Sequence, residues 1–351
     1  MTEGRPVADR VVPPRFPMPP GLPGPRAGTP ARRPGSLRRT WTIDSAHPVA
    51  REGAMVVRGE GRDLRTDRDG ATRVLARAHL EVELDPAYRI RRFESSPGWS
   101  PPGGLDRVSV ASGFRKLLRG PRGPGADDQL LTALLDDLPG ASLVGGYAAA
   151  RRGSVPVRPV DAQLGGRLDV CAGFARGASI DLLTHEQGVI PLPAGEPLTI
   201  EAEEDLLAWH ERRPLVPDSM RRQRLMDVQP DAQAGRVRVA AHFRDIHTDA
   251  DGRSVVVHEY VAEVAVDLAT GRVASVEVTA RVLPWPECPG AVVTAQQAVG
   301  QSLTELRARM TGDFVGPSSC THLTDTVRAI GHLDAVVEDH RWTEGADEAG
   351  R

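Results

Sequence analysis

Apolar and polar positions alternate through two long stretches of the chain, and each stretch gives way to segments whose apolar residues recur at helical spacing. In Leu80-Glu81-Val82-Glu83-Leu84 the apolar side chains fall on one face, the period-two signature of a half-buried strand. Strand-like runs cover 40–44, 55–61, 72–85 and 88–94. The pair Asp69-Gly70 separates two of them, and glycine there accepts the positive φ of a tight turn. Helices are expected over 106–118 and 127–138, the second stopped by Pro139-Gly140. Further along, 236–247 and 254–267 alternate around Asp251-Gly252, a third run reaches Leu283, and longer periodic segments cover 291–310 and 321–337.

The order of elements occurs twice, and so do some of the residues. Arg62-Asp63-Leu64-Arg65-Thr66-Asp67-Arg68-Asp69-Gly70 returns as Arg244-Asp245-Ile246-His247-Thr248-Asp249-Ala250-Asp251-Gly252. Trp99 then aligns with Trp285, and 131–136 with 320–325. Strands followed by helices predict an α+β fold, here two related β-β-β-α-α units with antiparallel sheets and helices on one face. The expected boundaries are a disordered Pro/Gly/Arg-rich segment at 1–37, a degenerate first unit at 38–151, an irregular insert at 152–217, a second unit at 218–338 and a polar tail at 339–351. A helix is expected within the insert over 201–212.

Composition narrows the function classes. Of 351 residues 26% are charged and 40% hydrophobic, as in soluble globular proteins, and the net charge of −3 gives no general pull toward nucleic acid or an anionic membrane. No apolar run approaches the roughly 18 residues of a membrane span. Lys116 is the only lysine and asparagine is absent, a bias read as that of a GC-rich bacterial genome. The first residues lack the order of an export signal, so a cytoplasmic location is expected, in which Cys171, Cys288 and Cys320 stay reduced.

The duplication also filters the candidate chemistry. The acidic turn 249–251 has a counterpart in the first unit and is read as a turn, whereas Cys288, Cys320 and His322 stand opposite Pro101, Leu131 and Ala133. Cys320-Thr321-His322 follows Pro317-Ser318-Ser319, so both ligand-type residues open a helix, where a thiol has a depressed pKa. With Cys288 they supply three ligands for zinc, iron or an iron–sulfur cluster, and Asp245, His247 or His258 a fourth. His242 and His247 are expected on opposite faces of one strand, His258 on the face of Tyr260. The basic run Arg221-Arg222-Gln223-Arg224 is read as a solvated strand edge, and Cys171 and Ala208-Trp209-His210 as features of the insert.

The second unit resembles an uncharacterised bacterial family catalogued as domain of unknown function 2889. The residues that carry the resemblance are Phe243-Arg244-Asp245, His258-Glu259, Asp267, Pro284-Trp285-Pro286-Glu287-Cys288-Pro289 and Cys320-Thr321-His322-Leu323-Thr324-Asp325. That resemblance implies no activity. Strands, then a cysteine before a helix, then a Cys/His pair opening a last helix also resemble the layout of U-type iron–sulfur scaffold proteins, with Cys-x-His here. Three functions stay open: a metal or cluster centre on Cys288, Cys320 and His322, with Asp245; a thiol-dependent acyl-transfer or hydrolytic enzyme with Cys320 as nucleophile and His322 or His258 as base; and a non-catalytic accessory protein whose partner is unknown.

Overall fold

The computed structural model describes residues 9–48, 53–111, 113–121, 123–125, 129–153, 155–199, 204–309 and 316–338. The chain is an α+β protein built on one antiparallel sheet. Its eight long strands are β1 (Ser36–Ala46), β2 (Met55–Thr66), β3 (Thr72–Leu84), β4 (Ile90–Ser96), β5 (Ser219–Asp231), β6 (Arg236–Thr248), β7 (Ser254–Asp267) and β8 (Arg272–Val282). Across the sheet they run β8-β7-β6-β5-β1-β2-β3-β4, with the short strand Glu196–Pro197 added beside β7. Each group of four is thus a meander that runs outward from the centre, and the two groups meet where β1 pairs with β5. The strand β5 stands ahead of the three expected in the second half and holds the middle of the sheet.

The two halves also share their irregularity. The register slips between Asp63 and Leu64 against β3, and between Asp245 and Ile246 against β7. In both places the sequence-equivalent aspartate sits just before a bulge, which kinks a strand and re-aims its side chains. Pairing is repeated as well. Arg39 faces Asp63 as Arg222 faces Asp245, and at the central seam Arg38 faces Asp227 as Arg221 faces Asp44.

Helices cover one face of the sheet. The long helix α2 (Gln129–Arg152) lies over β1, β2, β3 and β5, and α4 (Thr321–Ile330) lies over β6 and β7. Two short helices, α1 (Phe114–Arg119) and α3 (Leu303–Arg309), pack against them. Trp41, Phe243 and Tyr260 are buried between the layers, each such side chain contributing about 1.5–3 kcal/mol by leaving water. No helix among the described residues is long and apolar enough to cross a membrane.

Several expectations change. Pro139 does not stop α2, which continues to Arg152 with the proline buried inside it. A proline costs an interior helix a hydrogen bond, but buried residues on both sides of Pro139 keep the helix packed on the sheet. In the segment expected as one helix over 291–310, a 3-10 helix spans Cys288–Ala298 and Gly300-Gln301 breaks the chain before α3. The helix expected over 106–118 is reduced to α1. Of the helix expected over 201–212, residues 204–210 form turns and bends, 211–212 are irregular, and 201–203 lie outside the described residues.

The expectation of disorder over 1–37 fails for residues 9–37, which are tied to the body; 1–8 lie outside the described residues. Arg10–Val11 pairs with Val155–Pro156, and Arg15–Phe16 with Leu192–Pro193. The Phe16 ring lies 5.2 Å from that of Trp285, and the Arg26 amide donates to Glu259. Backbone donors and aromatic contacts hold this segment despite its poor core-forming composition. Arg221-Arg222-Gln223-Arg224 is no edge: it runs through the centre of the sheet, and all four residues are buried. The expected polar tail, 339–351, lies outside the described residues.

Candidate metal centre

Arg222, Asp245 and His258 are direct cross-strand neighbours on β5, β6 and β7, all facing the helical layer. Such neighbours bring side chains within reach without loop flexibility. Arg222 clamps the carboxylate of Asp245 with two parallel bonds, Nε to Oδ1 at 2.9 Å and Nη2 to Oδ2 at 3.0 Å. From the first turn of α4 comes His322, whose ring stacks on that of His258 with centroids 3.6 Å apart. Asp245 Oδ2 lies 3.3 Å from His258 Nδ1 and 3.7 Å from His322 Nε2. The three ligand atoms lie within 4.8 Å of one another, the one group of three or more metal-ligating side chains so gathered among the described residues.

This geometry fits a metal ion. Ligands about 2.0–2.2 Å from zinc in a tetrahedral array stand roughly 3.3–3.6 Å apart, close to the separations of Asp245 Oδ2 from the two imidazoles. His258 Nδ1 is buried and makes no hydrogen bond, so a polar atom aimed at the carboxylate lacks a partner that an ion would supply. Arg222 does not exhaust the carboxylate, because each oxygen has two lone pairs, and ligating carboxylates are ordinarily held by such outer bonds.

Electrostatics keep Asp245 and His322 in their ligand forms. Burial alone would raise the pKa of Asp245, but Arg222 and His258 beside it hold it far below the carboxylate range. Arg222 is kept charged against its burial by Asp245, Asp137 and Asp325. The pKa of His322 is driven well below the usual range by burial first, then by His258 and Arg222, which outweigh Asp245. A neutral imidazole is the form that binds metals.

A buried charge network extends from Arg222 into the helices. Asp137 of α2 accepts from Arg224 Nε at 2.7 Å and Arg222 Nη1 at 3.2 Å, and Asp136 accepts from Arg328 Nε at 2.7 Å and lies 3.1 Å from His332 Nε2. Asp325 accepts from Arg328 at 2.7 Å and from Arg115 at 3.1 Å. The approach of α2 is close: a Cβ at Gly140 would lie 2.1 Å from Arg222 Nη1 and 2.9 Å from Asp325 Oδ2.

Sequence reasoning placed His322 and Asp245 in the centre and gave His258 only as one of three choices for a fourth ligand. The structure brings those three together and leaves the two cysteines outside the group. Cys320 caps α4 but accepts a hydrogen bond from Tyr260 Oη at 3.2 Å. Its pKa is raised, because complete burial outweighs the bond from Tyr260, contrary to the depressed thiol expected at a helix start. Cys288 is buried in its 3-10 helix against Gly173, where a Cβ would fall 2.9 Å from its sulfur. Cys171 in the insert is shifted up to about 11 by burial. His247 turns to Ser219 O and Tyr147, and His242 to Glu259 on the other face. Arg222 was missed; its signal was the repeat, since Arg39 and Asp63 form the same bidentate pair in the first half, Nε and Nη2 each at 2.7 Å.

In the first half the position facing Asp63 is Ala76 where Asp245 has His258, so the Arg–Asp pair stands there without the histidine. No curated protein and no solved structure matches the chain. Residues 220–335, which carry Arg222, Asp245, His258, Cys288, Cys320 and His322, match the family described as "Protein of unknown function (DUF2889)".

Proposed function

We propose that the second of two related halves binds a single divalent transition-metal ion through Asp245, His258 and His322. The observation that carries this reading is the convergence of three ligand atoms from two strands and a helix within 4.8 Å. Two imidazoles and one carboxylate suit zinc or ferrous iron, and three protein ligands leave a coordination position open for water or substrate. His322, its side chain 20% exposed against 0% for Asp245, marks the side from which that position is reached. Bound there, the ion would act as a Lewis acid. Arg222 fixes the carboxylate rotamer and leaves Oδ2 directed at the two rings.

The test is elemental analysis of protein purified without chelator, and again after chelation and reloading with zinc or, anaerobically, ferrous iron. One ion per chain is expected, with at least about a tenfold loss of affinity in His258→Ala and in His322→Ala. Wild-type protein that retains neither ion after reloading would sink the proposal. Cys320→Ser serves as the contrast, since its thiol lies outside the ligand group and metal content should stay at the wild-type level.

A further inference from the structure

On the face of the sheet away from the helices, Arg244 and Glu259 are cross-strand partners on β6 and β7. Glu259 is fully buried and accepts Arg244 Nε at 2.8 Å and Nη2 at 3.1 Å. At the matching place in the first half, Arg62 on β2 faces Arg77 on β3. One guanidinium stands where a carboxylate stands in the other half.

Arg62 is 4% exposed, yet no carboxylate pairs with it among the described residues; its Nη2 donates to Leu207 O at 2.6 Å, and its buried Nε has no partner. Arg77 is exposed and likewise has no carboxylate partner among the described residues. Among the described residues, Asp205 is taken by Arg32 at 2.6 Å and Glu60 by Arg213 at 2.8 Å. His210, in the segment beside Arg62, has a pKa depressed to about 3 by burial and by Arg212 and Arg62, so it adds no charge of its own at neutral pH. Burial, Arg77 and Arg32 all lower the pKa of Arg62, as expected for a guanidinium with more cations than anions around it. A buried charge left without a counterion is strongly destabilising.

We infer that Arg62 and Arg77 form an anion site for a phosphoryl group, either free phosphate or the phosphate of a small ligand. Two guanidiniums on adjacent strands present donors from two directions and carry a charge of two, which a tetrahedral oxyanion of charge about −1.5 to −2 balances better than a single carboxylate does. Leu206 and Leu207, exposed at 89% and 39%, leave the rim of the site open to solvent.

The test is calorimetric titration of the full chain, freed of metal by chelation, with inorganic phosphate and separately with a phosphate monoester, against chloride at equal ionic strength. Metal-free protein separates this site from the Asp245 group. Saturable binding is expected, with affinity reduced at least about tenfold in Arg77→Glu, which restores the Arg–Glu pair of the other half. Because Arg77 is exposed, the variant should fold, as checked by an unfolding midpoint at or above that of wild type. Tighter binding of the monoester identifies a ligand's phosphate, and equal binding identifies free phosphate. No saturable binding, or equal affinity in wild type and Arg77→Glu, overturns the inference.

Discussion

Asp63 and Asp245 show how little separates a structural residue from a candidate ligand. Both lie before a bulge, and both are held bidentately by an arginine from the neighbouring strand. What differs is the next strand, alanine in one half and histidine in the other, and the histidine that α4 adds. The repeat made the asymmetry at His322 visible, whereas Asp245 has its counterpart in Asp63 and enters the sequence reading only as one choice for a fourth ligand. His258 was underweighted because its partnership depends on cross-strand register, which one sequence fixes only loosely. The cysteines drew attention by chemical type, yet Cys320 is buried against Tyr260 and Cys288 against Gly173 of the insert, apart from the Asp245 group. Gly140 is the residue whose importance nothing in the sequence announced. Gly140→Ala is expected to push Arg222 off Asp137 and Asp325 and to cost on the order of 2 kcal/mol, as overpacking of a tight interior does. Urea unfolding checks this, and an unchanged midpoint would show that α2 gives way instead.

At the scale of elements, the strands other than β5 were more legible than the helices. Alternation is enforced locally by a sheet with one buried face, so 254–267 was bounded to the residue. The 3-10 segment Cys288–Ala298 carries helical spacing but opens with Pro289-Gly290, and the helix through Pro139 is sustained by tertiary packing that the sequence does not display. The segment at Ala208-Trp209-His210 is held the same way. His210 sits 3.0 Å from both Thr40 Oγ1 and Thr42 Oγ1 on β1 and is 4% exposed. Its pKa is about 3 in the folded chain against an ordinary value of 6.5. The unfolded chain therefore takes up a proton first as pH falls. The stabilisation is complete above about pH 6.5 and is lost progressively toward pH 3, by at most about 1.4 kcal/mol per unit. In His210→Gln the fall in stability between pH 6.5 and 4 should be shallower than in wild type. Parallel pH profiles of the denaturation midpoint for the two proteins would rule this out.

For the whole molecule, the expected α+β class and antiparallel pairing hold, but the two groups of four strands are joined edge to edge in one sheet. The strand that makes this possible, β5, was hidden by its charge. Arg221-Arg222-Gln223-Arg224 looks like an exposed edge until each arginine is matched to an acid on another element. The central seam has a consequence for any chain that holds only the family-matched half. Arg38 binds Asp227 and Arg221 binds Asp44, each at 2.6 Å at its shortest, and these are the same contact read from opposite sides. A half bearing both Arg221 and Asp227 is complementary to a copy of itself, the condition for an isologous dimer. Residues 218–338 expressed alone should therefore sediment as a dimer, with Arg221 of each copy on Asp227 of the other. Asp227→Arg should return that fragment to a monomer, so the seam that joins two halves of one chain would serve, in a shorter protein, as its subunit interface.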